Sequence, residues 1–231
     1  MGNQQLMSVP YALYAANGPA GPQGPVGAQG PTGETGPAGP QGPPGAPSTA
    51  SFSHYIGEYF GGGVIYQLWK DSNGTEHGLI VDLTDFGTPS EPYFTWSNVY
   101  EDNPSAEGIG IAAQSPWDGL NNSLAIVAQS GHVSSAASLC LNSERGGQSD
   151  WYLPSIQELT ALWDNLNIVS RTLAQIPGAI ELRPWYYWSS TEMIPEFFAA
   201  YLNFNFGTSY QNTSISPFKF ELNCVRAIRA F

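Results

Sequence analysis

The sequence predicts two parts of different kinds, a fibrous repeat wound from three chains and a globular head of the α+β class. Glycine stands at every third position from Gly18 to Gly45 without a break, and this stretch holds ten of the 26 glycines in the 231-residue chain. The rest of the chain shows a β-hairpin pattern, then two helical patterns, then further strand patterns. The predicted fold class is therefore a collagen-like triple helix followed by an α+β head, assembled as a homotrimer.

Residues 1–17 are predicted to be an apolar segment that helps three chains associate. They contain no Lys or Arg and are interrupted by Pro10, so they lack the basic and apolar regions of a secretory signal peptide. Leu6, Leu13, Tyr14 and their apolar neighbours are too few to build a core alone, but they are sufficient for contact with other copies. A passive leader is the alternative interpretation.

Residues 18–47 are predicted to form a collagen-like stalk. Three polyproline-II chains wind together only when the residue at the crowded axis has no side chain, and this requires Gly at every third position. A disordered linker rich in Pro and Gly is the alternative, but such a linker needs no strict period. The rise per residue of such a helix gives a rod on the order of 90 Å, which we interpret as a spacer.

Residues 48–60 are predicted to be a linker, and residues 61–231 the head. Because the linker has no heptad pattern, we expect the head to trimerise through its own surfaces. Two apolar runs flank Asn73-Gly74 in a β-hairpin pattern, and residues 97–122 are expected to be long loops. Helical spacing predicts one helix around 122–142, and a second helix begins at Ser155, which forms an S-x-x-E capping box with Glu158. Strand patterns complete the C-terminal third.

The charge of the chain excludes several classes of ligand. Nineteen acidic residues against seven Lys and Arg give a formal net charge of −12. A protein that binds nucleic acid or a similar polyanion neutralises it with clustered basic residues, and anionic membranes select for the same feature. We therefore expect neither nucleic acid as a partner nor direct insertion into a membrane.

Catalytic and metal-binding motifs are not found in the sequence. His54, His77 and His132 are far apart, and nucleophile-elbow, zinc-peptidase and phosphate-loop motifs do not occur. The Glu-Pro-Asn and Trp-Asn-Asp signatures of calcium-dependent sugar-binding lectins are also absent, so no cofactor is expected. Calcium held by oxygen-rich loops is the alternative, and no motif supports it. The chain is predicted not to be an enzyme, with hydrolysis by paired carboxylates as the weaker alternative.

Two cysteines, Cys140 and Cys224, are expected to form a structural disulfide. A collagen-like stalk implies an extracellular location, where disulfides form and persist. A metal site and a redox pair are weaker alternatives, because no histidine is nearby and no C-x-x-C spacing occurs.

A set of short motifs in the head resembles a known family. They are Cys140, Gly146-Gly147, Asp150-Trp151-x-Leu153-Pro154, Glu158-Leu159, Tyr187 to Thr191, and Val225-Arg226-x-Ile228-Arg229. This run resembles the C-terminal domain of bacterial collagen-like adhesins, typified by the Legionella collagen-like protein, over most of residues 60–231. Such domains are distantly similar to the C-type lectin fold, in which a disulfide joins the first helix to the last strand. The sequence departs from the family at Tyr152, where Arg is common.

The motif residues themselves are interpreted as determinants of the fold. Trp151, Leu153 and Pro154 are expected to pack at the entry to the helix that Ser155 and Glu158 cap. Trp188 is expected on a core strand. On the last strand, Arg226 and Arg229 are expected to pair with acidic groups.

What the resemblance implies is a trimeric adhesin, located extracellularly, on a cell surface or on a virion or tail fibre. Its partners would be other copies of itself and a surface receptor, with carbohydrate the favoured ligand. The alternatives are a structural filament subunit, whose head registers the stalk, and the receptor-binding tip of a phage tail fibre.

The ligand-binding residues are predicted from an excess of aromatic and amide side chains in the loops of the head. A sugar offers apolar C–H faces and hydroxyl groups, so its site needs exposed rings beside amides or carboxylates. The alternative interpretation of Trp185 and Tyr186 is that they make ordinary core or trimer contacts. The set is Trp185, Tyr186, Glu192, Glu196, Tyr210, Gln211 and Asn212.

Overall fold

A computed structural model describes residues 22–30, 51–99, 108–194, 197–205 and 218–231 of the chain. The chain divides into two compact units, Met1–Pro47 and Ser48–Phe231. In the first unit, residues 22–30 form neither helix nor strand, and all of them are exposed. The rest of the predicted stalk and residues 1–17 lie outside the described residues. None of the helices in the described part of the chain combines the length and the apolar character needed to cross a bilayer.

The second unit is an α+β fold, as predicted. Its described residues form two four-stranded sheets, ordered β1-β2-β3-β8 and β4-β7-β5-β6, together with four α-helices and two 3-10 turns. All strand pairs are antiparallel except β5 with β7. The strands are β1 (Tyr59–Phe60), β2 (Gly63–Lys70), β3 (Glu76–Asp82), β4 (Tyr93–Phe94), β5 (Tyr186–Ile194), β6 (Phe198–Asn203), β7 (Asn223–Cys224) and β8 (Ile228–Ala230). The helices are α1 (Gly119–Val127), α2 (Ala136–Leu141), α3 (Ile156–Asp164) and α4 (Leu166–Leu173).

The predicted hairpin is confirmed as β2 and β3. Its turn is held by the Asp71 carboxylate, which accepts hydrogen bonds from the backbone N–H groups of Asn73 and Thr75, both at 2.9 Å. Gly74 adopts φ of 84°, a left-handed conformation that favours glycine. The segment expected to be a linker joins this unit, since β1 pairs with β2 and the Ser53 N–H donates to Glu76.

The helix predicted around 122–142 is wrong in its extent, because the structure has two helices there. Helix α1 ends at Val127 and α2 begins at Ala136, with Gly131 at φ of 80° between them. The same apolar spacing predicts that Val133 lies on the buried face of that helix, and this is also wrong. Val133 lies in the connection and is exposed, whereas Asn122 and Ser123 of α1 are buried.

The capping box at the start of α3 is confirmed. The Ser155 hydroxyl accepts a hydrogen bond from the Glu158 N–H, and the Glu158 carboxylate accepts one from the Ser155 N–H. These two bonds satisfy donors that the first turn of a helix otherwise leaves unpaired. Leu159 and Leu162 then follow at helical spacing and are buried, as the apolar stripe predicts.

Two hydrophobic clusters cover opposite faces of the first sheet. Successive side chains of a strand point to opposite faces, so Val64 of β2 belongs to the first cluster and Ile65 to the second. Helices α3 and α4 supply Leu159, Leu162 and Val169 to the first cluster. The second cluster contains the large indole rings of Trp96, Trp151 and Trp188.

The expected disulfide between Cys140 and Cys224 is not present. Both cysteines are free and buried, with Cys224 in the first cluster and Cys140 in the second. Val225, the residue after Cys224, packs in the same cluster as Cys140. Because neighbouring side chains point in opposite directions, Cys224 points away from Cys140. Burial raises the pKa of both thiols, that of Cys224 to about 12, so neither is a reactive nucleophile.

A buried ionic network holds the C-terminal segment to the rest of the head. The Asp85 carboxylate accepts hydrogen bonds from Arg226 Nε at 2.6 Å, Arg183 Nε at 3.2 Å and the Tyr187 hydroxyl at 3.1 Å. Arg226 also donates to the backbone carbonyl of Asp82. Both Asp85 and Arg226 are almost completely inaccessible to solvent. The predicted pairing of Arg226 with an acidic group is thus confirmed.

Replacing Arg226 with Met should lower the free energy of unfolding by about 3–5 kcal/mol, because it leaves the buried Asp85 carboxylate without its closest cation. Arg229→Met is the matched control. Arg229 donates to Asp150 at 2.6 and 2.8 Å, but Asp150 is exposed, so this loss should cost about 1 kcal/mol or less. Denaturant unfolding of both variants measures the difference, and equal losses would contradict the assigned roles.

Candidate ligand-binding cleft

The prediction that Glu192 binds a ligand is wrong, because the residue is buried. Its side chain is 1% exposed and accepts a hydrogen bond from Lys219 Nζ at 2.6 Å. It also accepts from the backbone N–H groups of Ile109 and Gly110, at 3.1 and 2.6 Å. Alternation on β5 does not reveal this role, because the partners come from distant parts of the chain. Glu192 therefore anchors two loops and is not available to a ligand.

Trp185 and Tyr186 lie in a row of aromatic rings, defined as Tyr93, Trp185, Tyr186 and Tyr201. Successive ring centroids are 5.7, 6.0 and 4.9 Å apart. Trp185 is 45% exposed. The other residues predicted to bind a ligand, Glu196, Tyr210, Gln211 and Asn212, lie outside the described residues. The row thus supplies apolar surface without a described set of polar partners.

A cleft elsewhere on the head combines exposed rings with polar groups. It has a volume of about 300 Å³, at the small end of ligand sites. Trp69 and Trp117, which are 41% and 72% exposed, both line it. Its lining residues are Gln67, Trp69, Leu79, Trp117, Tyr152, Gln157, Glu158 and Ala230.

A larger cavity of about 570 Å³ has different chemistry. It is lined by Gly108, Ile109, three alanines, Gln129 and Ser130, without an aromatic ring or a charged group. Specific small-molecule sites generally combine apolar walls with a few convergent polar groups. The smaller cleft meets this description, and we take it as the candidate site.

A β-bulge directs two of the lining side chains into the cleft. The register of β2 against β3 shifts between Ile65 and Gln67, which leaves Tyr66 as the extra residue. Beyond the bulge, Gln67 pairs with Leu79, and both line the cleft. Trp69 follows two residues later on the same face and stacks on His77 with ring centroids 5.8 Å apart. Leu68 packs instead against the second hydrophobic cluster.

Glu158 fixes the opposite side of the cleft. Besides the Ser155 N–H, its carboxylate accepts hydrogen bonds from the Tyr152 hydroxyl at 2.9 Å and the Gly119 N–H at 3.1 Å. A Cβ atom at Gly119 would collide with that carboxylate, so only glycine permits the approach. The Gln157 N–H donates to the Pro116 carbonyl at 3.0 Å, which ties α3 to the residue before Trp117.

Burial raises the pKa of the Glu158 carboxyl, although its hydrogen bonds partly offset the effect. The pKa of Tyr152 is also raised, first by burial and then by the negative charge of Glu158. Tyr66 has a raised pKa for the same two reasons in the same order. Its hydroxyl is buried and has no hydrogen-bond partner among the described residues. The cleft floor is therefore a desolvated, acidic environment.

The motif residues that sequence analysis assigned to the fold lie next to this cleft. Trp151 and Leu153 are buried, and the Trp151 indole N–H donates to the Arg145 carbonyl at 2.9 Å. Between them, Tyr152 exchanges two backbone hydrogen bonds with Ile228 of β8. Trp188 is buried and donates to the Phe94 carbonyl, and the Pro154 carbonyl accepts from the Ser190 N–H. The motif thus holds Tyr152 at the cleft while its neighbours pack into the core.

Sequence reasoning missed most of the lining residues. Trp117 lies in a segment that was interpreted as a loop, and Gln157 lies at the start of a predicted helix. Gln67 and Trp69 were interpreted as ordinary strand residues. The signal available was the two tryptophans, which no apolar pattern requires. Within the described ranges, no group of three or more His, Cys, Asp or Glu side chains is placed to hold a metal ion. The chemistry that the lining offers is stacking and hydrogen bonding.

Comparison of the chain with models of known protein families gives no match. Comparison with curated proteins gives no match either.

Replacing Tyr66 with Phe should raise the free energy of unfolding by about 1 kcal/mol, because it removes a buried hydroxyl that has no described partner. Tyr152→Phe makes the same chemical change but removes a hydrogen bond to a carboxylate, and should lower it by about 1.5–3 kcal/mol. Parallel denaturation curves test the pair. A loss of stability in Tyr66→Phe as large as that in Tyr152→Phe would show that the Tyr66 hydroxyl has a partner.

Proposed function

We propose that the chain is a trimeric surface or fibre adhesin, whose collagen-like stalk presents a head that binds carbohydrate in the cleft of Trp69 and Trp117. The observation that carries the proposal is the composition of the cleft. Two exposed indole rings share one concave surface with two glutamine amides, a tyrosine hydroxyl and a carboxylate.

This composition suits a sugar because each part of a sugar has a counterpart in it. Indole faces cover the apolar C–H surfaces of a pyranose ring, and such rings bring large contact area at low cost in conformational entropy. Amides and carboxylates bond to hydroxyl groups, and those held by neighbouring hydrogen bonds are already oriented. Glu158 is oriented in this way by Ser155 and Gly119.

The predicted stalk supports the adhesin proposal because it would join three binding sites in one molecule. Ten uninterrupted Gly-X-Y triplets are typical of three chains wound in register. Three heads on one stalk would engage a surface that carries many copies of a glycan, and linked sites raise the overall affinity well above that of one cleft. A shallow cleft of about 300 Å³ is compatible with this arrangement, since each site needs only modest affinity.

Trp69→Ala and Trp117→Ala should each weaken binding to the preferred glycan by at least about tenfold, because each removes a stacking surface. Screening the full chain on a glycan array identifies that glycan, and titration of the variants measures the loss. Because both side chains are substantially exposed, the melting temperature should change little.

Trp185→Ala is the matched control, since Trp185 is also about half exposed but belongs to the aromatic row. It should leave glycan binding unchanged. Loss of binding in this variant alone would move the site to the aromatic row. If the unaltered chain binds no glycan, the adhesin proposal fails and a structural filament subunit is favoured.

The intact chain should be a trimer by light scattering, and Gly33→Ala should lower the melting temperature of its stalk, because the added methyl group meets the crowded axis. Thr35→Ala, in the same triplet but at an outward position, should change it far less. The transition of the head should be the same in both variants. A monomeric chain, or equal effects of the two substitutions, would contradict a collagen-like stalk.

A further inference from the structure

The charges around the cleft limit the class of saccharide that it accepts. Glu158 is the charged residue among those that line it. After burial, the pKa of the Tyr152 hydroxyl on the cleft floor is raised by the negative charges of Glu158, Asp118 and Asp150. Because Arg229 pairs with Asp150, the carboxylates of Glu158 and Asp118 supply the negative charge at the floor of a partly desolvated cleft, where charges are screened less than on an open surface.

The basic side chains of the protein are committed elsewhere. All seven lie in described parts of the chain, and five of them pair with a carboxylate inside the head. Arg229, which precedes the lining residue Ala230, holds Asp150 with two hydrogen bonds. Lys70 donates to the Ser51 carbonyl at 2.9 Å, and Arg171 lies on α4 against a different cavity. An anionic ligand would find no cation in the lining of the cleft.

The hydrogen-bonding groups at the floor of the cleft also disfavour an anionic ligand. The Tyr152 hydroxyl donates its proton to Glu158 and is left with acceptor lone pairs. Glu158 receives one bond on Oε1 and two on Oε2, so Oε1 keeps room for a further donor. The floor therefore accepts hydrogen bonds, and a ligand that reaches it must supply O–H or N–H groups. Carboxylates and sulfates supply none.

We propose that the cleft selects saccharides without an anionic group and discriminates against uronic, sialylated and sulfated ones. This inference rests on the proposed function, and it adds the chemical class of the ligand. The discrimination is electrostatic, since the carboxylates of Glu158 and Asp118 oppose the approach of an anion and no basic side chain lines the cleft to compensate.

The test uses the full chain and matched glycan pairs, in which a neutral N-acetyllactosamine is compared with its sialylated and sulfated forms. The neutral member should bind at least about tenfold more tightly. Raising the salt from about 50 mM to about 500 mM should narrow the ratio, because screening weakens the repulsion. Equal binding, or tighter binding of the anionic member, would overturn the inference while leaving the adhesin proposal in place. If the chain binds no member of any pair on the array, the proposed function itself fails.

Asp118→Asn isolates the electrostatic cause. Asp118 is the N-cap of α1 and accepts a hydrogen bond from the Asn121 N–H, and Asn caps a helix equally well. The variant should reduce the ratio of neutral to anionic binding by about threefold, the effect of one partly screened charge. Glu91→Gln removes an exposed carboxylate that does not line the cleft and should leave the ratio as it was. An unchanged ratio in Asp118→Asn, or an equal change in Glu91→Gln, would show that charge near the cleft is not the cause.

Discussion

The arrangement of the cleft depends on the hydrogen bonds of the Glu158 carboxylate. Its hydrogen bonds close the first turn of α3, hold the N-terminus of α1 through Gly119 and orient the Tyr152 hydroxyl. These partners are the N-terminus of α1, the N-cap of α3 and Tyr152 just before it, so one side chain sets the distance between two helices and the strand-like segment that pairs with β8. The raised pKa of Glu158 shows that burial is not fully offset, which is the energetic cost of placing an anion where it can organise a cleft.

Local signals in the sequence were sufficient for the parts of the fold that depend on local interactions. The β2–β3 hairpin follows from Asn73-Gly74 between two apolar runs, and the start of α3 follows from Ser155 and Glu158. Periodicity alone failed at Gly131, where apolar spacing continued across a turn and two helices were taken for one. Spacing along a helix does not report whether the backbone between its residues is continuous.

The candidate site could not be predicted from the sequence because it depends on the register of strand β2. A bulge at Tyr66 shifts the alternation of β2 by one residue, and this is why Gln67 and Trp69 face the cleft although their positions suggest the opposite face. The same sensitivity to one residue explains the cysteines, since Val225 occupies the cluster that Cys224 was expected to enter. Whether Glu192 is a surface group or a buried anchor likewise depends on Lys219, which only the folded chain brings to it.

The seven tryptophans of the chain fall into sets with very different surroundings. Trp96, Trp151 and Trp188 are fully buried, and each donates its indole N–H to a backbone carbonyl, whereas Trp69 and Trp117 face solvent at the cleft. Buried and solvated indoles emit at different wavelengths and differ in their access to quenchers. The head therefore carries its own optical reporter. A ligand bound in the cleft would change the red-edge emission that comes from Trp69 and Trp117, whereas Trp185, exposed outside the cleft, would give a constant background. The blue-shifted emission of the core indoles would record whether the head is still folded.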